Sequence, residues 1–165
     1  MMELIHGPAR IFLIGIGATL VMDAWLLLLR RMGVKTLDLS LVGRWAGHAL
    51  HGRWRHEAIA RAARVRAERA LGWAIHYGVG ISFAALLVAI MGTGWLGEPA
   101  LFPALVFGLA TAIVPLFVVQ PAMGAGIASS NTPTPVANSA KSLATHAVFG
   151  AGLYLAATVL GMLGD

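Results

Sequence analysis

The sequence predicts an all-α, polytopic membrane protein built as a bundle of four transmembrane helices. Of the 165 residues, 58% are hydrophobic and only 12% are charged, whereas a soluble domain carries about 25% charged residues. The apolar residues fall in four blocks, each long enough to cross a hydrocarbon layer of roughly 30 Å as a helix. Ten of the 12 Lys and Arg residues lie between Arg30 and Arg69, in a long connection between the first two blocks.

The four apolar blocks define the expected spans, within a single membrane domain over residues 1–165. The first block is too long for the apolar core of a signal peptide, and no small-residue cleavage site follows it, so we interpret it as a span. Pro103 and Pro115 in the third block are expected to bend that helix. The spans are predicted over residues 11–29, 71–91, 100–120 and 142–163.

The basic residues predict the orientation, because short loops rich in Lys and Arg stay on the cytoplasmic side of the bacterial inner membrane. The loop over residues 30–70 is therefore expected in the cytoplasm and both termini in the periplasm. The positive-inside rule alone requires such a loop, so we expect contact with lipid headgroups rather than with nucleic acid. The arginines expected at the headgroups include Arg30, Arg31, Arg53 and Arg61.

The cytoplasmic loop is expected to be partly helical. Ser40 is a candidate N-cap for a short helix over residues 40–51. Between Arg53 and Leu71, opposite charges recur at i,i+4, which supports a helix surface. We expect that second stretch to run straight into the second span.

Three ionisable residues lie inside the spans, where such groups are costly and usually functional. Asp23 lies seven residues before Arg30, His76 seven residues after Arg69, and His146 five residues after Lys141. At 1.5 Å per residue, all three lie about 7–11 Å from the cytoplasmic boundary, in one layer.

The helix faces that carry this layer also carry small residues at i,i+4 spacing, which is typical of close packing between membrane helices. The polar groups are therefore expected to face the interior of the bundle. Gln120 ends the third span at the same side, and His48 in the loop could fold back against the layer. The aligned sets are Gly15, Thr19 and Asp23; Gly72, His76, Gly80 and Ala84; and His146 and Gly150.

Two imidazoles and a carboxylate suit a transition-metal ion such as Zn, Fe, Cu or Mn, with Asp23, His76, His146 and His48 as candidate ligands. His76 and His146 could instead be the axial ligands of haem b, with the nearby glycines making room for the macrocycle. The chain has no cysteine, which excludes disulfides, thiolate metal sites and iron–sulfur clusters.

Other functions fit the same residues. The polar contacts could only fix helix packing, in an accessory subunit of a larger membrane complex that docks through its glycine-rich faces. A proton-coupled carrier of a small solute or ion could use Asp23 and the histidines as titrating groups. Four helices are few for a carrier, so that function predicts a homo-oligomer. An enzyme acting on a lipid remains open, although the sequence identifies no nucleophile.

Several short motifs together resemble a bacterial inner-membrane family of unknown function with four predicted helices. The resemblance covers nearly the whole chain and implies the same architecture, without an activity or a cofactor. The motifs are Gly43-Arg44-Trp45 followed by His48, Gly72-Trp73 with His76-Tyr77, Gly94-Trp95-Leu96, Gln120-Pro121, Gly124-Ala125-Gly126 with Pro133 and Pro135, and His146 with Phe149-Gly150-Ala151-Gly152-Leu153-Tyr154.

Overall fold

The computed structural model describes the backbone of residues 2–163 and the side chains of residues 7–163, and within that range it is all-helical. Four helical segments are long and apolar enough to cross a membrane, as predicted. The helices extend past the predicted spans most at the start of the first and next at the start of the fourth, and by at most a few residues elsewhere. The four segments are α1 Met2–Arg31, α3 Glu68–Met91, the third span Leu101–Met123, and α7 Pro135–Met162.

Short elements fill the connections and divide the third span. The connection after α1 holds α2, and the tight turn after α3 holds α4. The third span is α5, then a π-helix, then α6. The bounds are α2 Leu39–Ala49, a 3₁₀ turn Ile59–Arg61, α4 Gly94–Gly97, α5 Leu101–Thr111, the π-helix Pro115–Val119, α6 Gln120–Met123 and a 3₁₀ turn Ile127–Ser129.

The two prolines of the third span act differently. Pro103 lies in the first turn of α5, where a proline removes no intrahelical hydrogen bond, so it produces no break. Pro115 lies within the span and cannot donate to the preceding turn, and the helix widens there into the π-helix. The third span is therefore irregular at Pro115 and regular at Pro103.

The spans pack side by side with alternating direction, with α1 between α3 and α7, and α5 against α7. Small residues allow these contacts, as the sequence pattern predicted. A Cβ added at Gly15 would lie 2.5 Å from the Ile81 Cα, and one added at Gly150 would lie 2.5 Å from the Ala104 carbonyl oxygen. Neither glycine can be enlarged without separating two helices.

The middle of the bundle is an apolar core, while its outer surface carries large exposed apolar side chains. Phe102 is 77% exposed and Ile113 is 60% exposed, which is expected for side chains that face lipid. The largest fully buried side chains of the core are Phe149, Ile14, Leu87 and Leu153.

We call the end of the bundle that carries Arg30 and Arg69 the basic end. Helix α2 packs there across the start of α3, and Gly43 and Gly72 bring the two backbones into contact. The predicted short helix is confirmed, but its N-cap is Asp38, whose Oδ1 accepts a hydrogen bond from the Ser40 amide at 2.9 Å. The expectation that Ser40 is the N-cap was wrong, because the N-cap lies two residues earlier in the chain.

The predicted helix between Arg53 and Leu71 was also wrong. Only the 3₁₀ turn at Ile59–Arg61 forms there, and α3 begins at Glu68 after Ala67 in a left-handed conformation. The reason is Arg44, which is buried and donates to the carbonyls of Ile59, Ala60 and Ala62. In an α-helix those carbonyls would accept hydrogen bonds from backbone amides. Because they accept from the Arg44 guanidinium instead, the segment does not form a helix.

The segment over residues 120–134 folds against that irregular stretch. The His56 amide donates to the Ala122 carbonyl at 2.9 Å, and Gly124, at φ +97°, lies against the backbone of Glu57. The assembly of α2 with residues 50–67 and 120–131 is called the cap below, as distinct from the N-cap residue of a helix. It covers the basic end around a small core of Val42, Ile59 and Met123.

Candidate functional site

The crossing of α1 and α3 places Asp23 beside His76. Gly80 lies against Thr19, because a Cβ at Gly80 would collide with the Thr19 hydroxyl. The two helices are antiparallel, so one turn further along α1 and one turn back along α3 lead to Asp23 and His76. Their pairing is therefore a consequence of the small-residue pattern that the sequence showed.

Asp23 accepts two hydrogen bonds from α3. His76 Nε2 donates to Oδ1 at 2.9 Å, and the Tyr77 hydroxyl donates to Oδ2 at 2.9 Å. The side chains of His76 and Asp23 are 14% and 20% exposed. The carboxylate thus has each oxygen bound by a protein donor, and the neutral His76 ring must carry its proton on Nε2.

Aromatic rings hold the imidazole in place. The centroid of the Trp73 ring lies 5.9 Å from that of His76, and the Tyr77 ring lies 5.7 Å away, both edge to face. Such contacts fix the ring orientation without using its nitrogens. We call Asp23, His76 and Tyr77 the α1–α3 cluster.

His146 lies in a second, separate contact between α7 and α5. Its Nδ1 is 2.8 Å from the Thr111 hydroxyl, which itself donates to the Gly108 carbonyl at 2.6 Å. Because a hydroxyl has one proton, Thr111 accepts from His146, which fixes the neutral ring with its proton on Nδ1. Nε2 is then the nitrogen of His146 whose lone pair can accept a hydrogen bond. Gly108 makes the approach possible, since a Cβ there would lie 2.5 Å from the His146 carbonyl oxygen.

The other residues predicted for the layer lie in the cap. Gln120 Oε1 accepts from the Ser129 hydroxyl at 2.8 Å. His48 Nε2 is 2.9 Å from the Ala63 carbonyl, and its ring lies 5.0 Å from that of His56. Both side chains therefore bind loop segments, and neither joins Asp23.

The structure thus brings together Asp23 and His76 and leaves His146, His48 and Gln120 in contacts of their own. Within residues 7–163, no group of three or more His, Asp or Glu side chains is placed to hold a metal ion. Hydrogen bonds join the carboxylate to the imidazole and to the phenol. Proton transfer between such groups takes place along hydrogen bonds.

Sequence reasoning missed Tyr77 and Thr111. Residues adjacent in a helix point about 100° apart, so a neighbour of His76 was not expected to reach the same carboxylate. Thr111 had a signal in the sequence, because it is the only hydroxyl side chain between Leu101 and Val119. A lone hydroxyl in an apolar span needs a partner.

The four arginines expected at headgroups, Arg30, Arg31, Arg53 and Arg61, are all on the surface at the basic end. Arg44 is the exception among the loop arginines. It is 6% exposed and forms two hydrogen bonds to Glu68, at 2.8 and 2.9 Å. The hydrogen bond to Glu68 raises the pKa of Arg44, so this guanidinium stays charged.

The fold and the site define a small polytopic membrane protein with a carboxylate–imidazole–phenol cluster inside its helix bundle. The chain belongs to the family described as protein of unknown function (DUF2938), whose family model matches residues 12–160. The predicted resemblance to a family of unknown function is thereby confirmed. No curated protein and no solved structure matches the chain significantly.

Proposed function

We propose that this protein is a proton-coupled carrier of a small solute or ion, in which the α1–α3 cluster is the group that takes up and releases the proton. The observation that carries the proposal is the 2.9 Å hydrogen bond between Asp23 and His76 within two membrane-spanning helices. Histidine is the side chain that changes charge near neutral pH. Ionisable groups inside a membrane bundle are typical of proton relays.

The geometry favours a proton over a metal ion at this site. Both carboxylate oxygens of Asp23 already accept hydrogen bonds, and His146 is bound to Thr111 on another helix pair. A metal ion bound by Asp23, His76 and His146 would require these contacts to break. A metal site would also leave out His48, which lies in the cap.

The geometry also gives less support to haem. Haem is ligated by a histidine nitrogen directed at the iron, and His76 Nε2 is directed at Asp23. The macrocycle would need the space beside the glycines of the spans. The space beside Gly80 is instead occupied by the Thr19 side chain, and the space beside Gly150 by the backbone of Ala104.

The glycine faces likewise give less support to an accessory subunit that docks through them. Gly15 and Gly152 lie against α3 and α1 of the same chain. A partner subunit would have to use another surface.

Access to the α1–α3 cluster is expected from the basic end, which the positive-inside rule places in the cytoplasm. Asp23 lies seven residues from Arg30, about 10 Å along the helix. Towards the opposite end, the fully buried Ile14, Leu87 and Leu153 place apolar side chains along the way through one protomer. A transported solute would therefore cross between protomers, and the proposal includes a homo-oligomer in the inner membrane.

The test is proton flux into vesicles that contain the purified protein, with a pH-sensitive dye inside and an imposed membrane potential. A protein-free cell extract outside supplies small solutes and ions. We expect acidification with the wild type, and the rate of empty vesicles with Asp23→Asn and with His76→Gln. Ser82→Ala is the matched control, because this exposed hydroxyl on the same helix binds only the Gly78 carbonyl.

Equal flux in the wild type and Asp23→Asn would contradict the proposal. So would wild-type vesicles that acidify no faster than empty ones. Cross-linking within the membrane tests the oligomer separately, since a carrier of this kind must give at least a dimer band.

A further inference from the structure

The turn between α1 and α2, residues 32–38, lies at the basic end and accepts hydrogen bonds from cationic side chains of two spans. Arg30, in the last turn of α1, donates to the Thr36 hydroxyl and to the Leu37 carbonyl at 3.4 Å. Lys141 of α7 donates from Nζ to the Lys35 carbonyl at 3.0 Å. The cations of α1 and α7 are therefore anchored to the same short stretch of backbone.

None of these cations forms a salt bridge within residues 7–163. Within residues 7–163 the ion pairs are Arg44–Glu68 and His76–Asp23. Asp38 is the acidic residue of the turn, and its carboxylate accepts from the Ser40 amide as the N-cap of α2. Arg30, Lys35 and Lys141 thus outnumber the local carboxylate by two charges.

A surface pocket of about 490 Å³ opens beside these cations. Its wall includes Arg30, Lys35 and Asp38, together with the uncharged residues of the turn between Gly33 and Leu37. Apolar side chains flank it, with Met32 69% exposed and Leu37 51% exposed. Unpaired cations next to exposed apolar groups match a molecule that carries a phosphate and an acyl chain.

We propose that this pocket binds the phosphodiester headgroup of an anionic phospholipid, with Arg30 and Lys35 of its wall as the cations that recognise it. Lys141, bound to the Lys35 carbonyl, adds positive charge beside the pocket. Basic pockets beside transmembrane helices are known to hold anionic headgroups. The pocket lies at the end of α1, the first of the four candidate spans, which is where a lipid phosphate is expected. The proposal narrows the expected headgroup contact of the loop arginines to one site, and it does not depend on the proposed proton transport.

The experiment uses the full chain in nanodiscs of equal parts phosphatidylglycerol and phosphatidylcholine, followed by native mass spectrometry of the released protein. We expect the wild type to retain phosphatidylglycerol in preference to phosphatidylcholine. Lys35→Gln is the main variant, because the Lys35 ammonium forms no hydrogen bond within residues 7–163, so that its loss leaves the turn intact. We expect retention to fall about fivefold for each cation removed.

The matched control is Arg66→Gln, which removes one exposed cation of the same loop that does not line the pocket. Retention in the control should equal that of the wild type. Arg30→Gln/Lys35→Gln should lose more than Lys35→Gln alone, with an unchanged melting temperature as the check on folding. An equal loss in Lys35→Gln and Arg66→Gln, or no loss in either, overturns the proposal.

A last experiment distinguishes a bound phospholipid from a bound free anion as the ligand of the pocket. Inorganic phosphate at millimolar concentration is added to detergent-purified protein, and its effect on the melting temperature is compared with that of phosphatidylglycerol. We expect stabilisation by the lipid and none by phosphate. Stabilisation by phosphate as large as that by the lipid would overturn the assignment to a phospholipid.

Discussion

The Asp23–His76 pair and the Arg44–Glu68 pair are both shielded from solvent, but they differ in the chemistry of the cation. Arginine stays protonated at every physiological pH, and Arg44 also binds three backbone carbonyls. Histidine gives up its proton near neutrality, and His76 is bound to one carboxylate oxygen. The first pair is suited to hold a structure in one form, and the second is the pair to which we assign proton exchange in the proposed function.

The largest expected effect is the loss of the Arg44 anchor. Arg44→Met removes the partner of Glu68 and frees three carbonyls, so we expect the melting temperature to fall by about 5–10 °C. Hydrogen exchange should show the loss in α2 and residues 50–67 before the spans. Arg66→Gln, an exposed arginine of the same loop, is the control, and an unchanged exchange pattern in Arg44→Met would contradict the anchoring role.

Acid should weaken the cap through His56. This residue is 7% exposed and both its ring nitrogens lack a hydrogen bond. Burial lowers its pKa below the ordinary 6.5, and the nearby charges of Arg53 and His48 lower it further. The unfolded cap therefore binds the proton more readily, so stability is complete above pH 6.5 and falls as the pH drops below it, by up to about 1.4 kcal/mol per pH unit.

The measurement is hydrogen exchange of the cap at pH 8 and pH 5, corrected for the intrinsic exchange rate. His56→Phe should abolish most of the extra opening at pH 5, because the ring shape is kept and the titrating group is gone. His51→Gln, at an exposed histidine, should behave as the wild type. The same acid response in His56→Phe would assign it to another group.

The contact between Thr111 and His146 should have a smaller effect. Thr111→Val keeps the shape of the side chain and removes the acceptor for His146 Nδ1, at a cost of about 1–3 kcal/mol for a buried donor left unpaired. Thr158→Val is the control, because its hydroxyl binds only the Tyr154 carbonyl of its own helix. Equal melting temperatures in the two variants would show that the hydrogen bond to His146 does not stabilise the bundle.

The smallest expected change in stability is at Asp23, where the change in function should be greatest. Asp23→Asn keeps one acceptor oxygen for Tyr77 or His76, so we expect the melting temperature to move by about 2–4 °C, equivalent to roughly 1 kcal/mol. Proton flux should nevertheless stop. A large loss of stability in Asp23→Asn would remove the contrast with Arg44 and assign a structural role to both pairs.

The sequence predicted the spans and one half of the site for a common physical reason. Span hydropathy and the i,i+4 spacing of small residues are local properties, and the antiparallel crossing at Gly15 and Gly80 follows from them. That crossing brings Asp23 to His76. The position of His146 was not predictable in this way, because equal depth does not determine the rotation of α7, and the rotation directs His146 to Thr111.

The cap shows the opposite case. Between Arg53 and Leu71 the charges at i,i+4 favour a helix by a few tenths of a kcal/mol per pair. A single buried guanidinium, Arg44, needs acceptors for its donors and takes them from the backbone of Ile59 and its neighbours. Local spacing does not predict these long-range hydrogen bonds from Arg44, and they outweigh the local preference for a helix.

The position of α1 between α3 and α7 has a consequence for biosynthesis. About 100 residues separate the end of α1 from the start of α7, which at 5–20 residues per second is about 5–20 s of translation. During that interval the face of α1 that will meet α7, with Gly17 against Ala156 and Ala18 against Gly152, has only lipid or the insertion machinery beside it. A chain that stops before Pro135 would therefore leave α1 without half of its neighbours, and we expect membrane quality-control proteases to remove it.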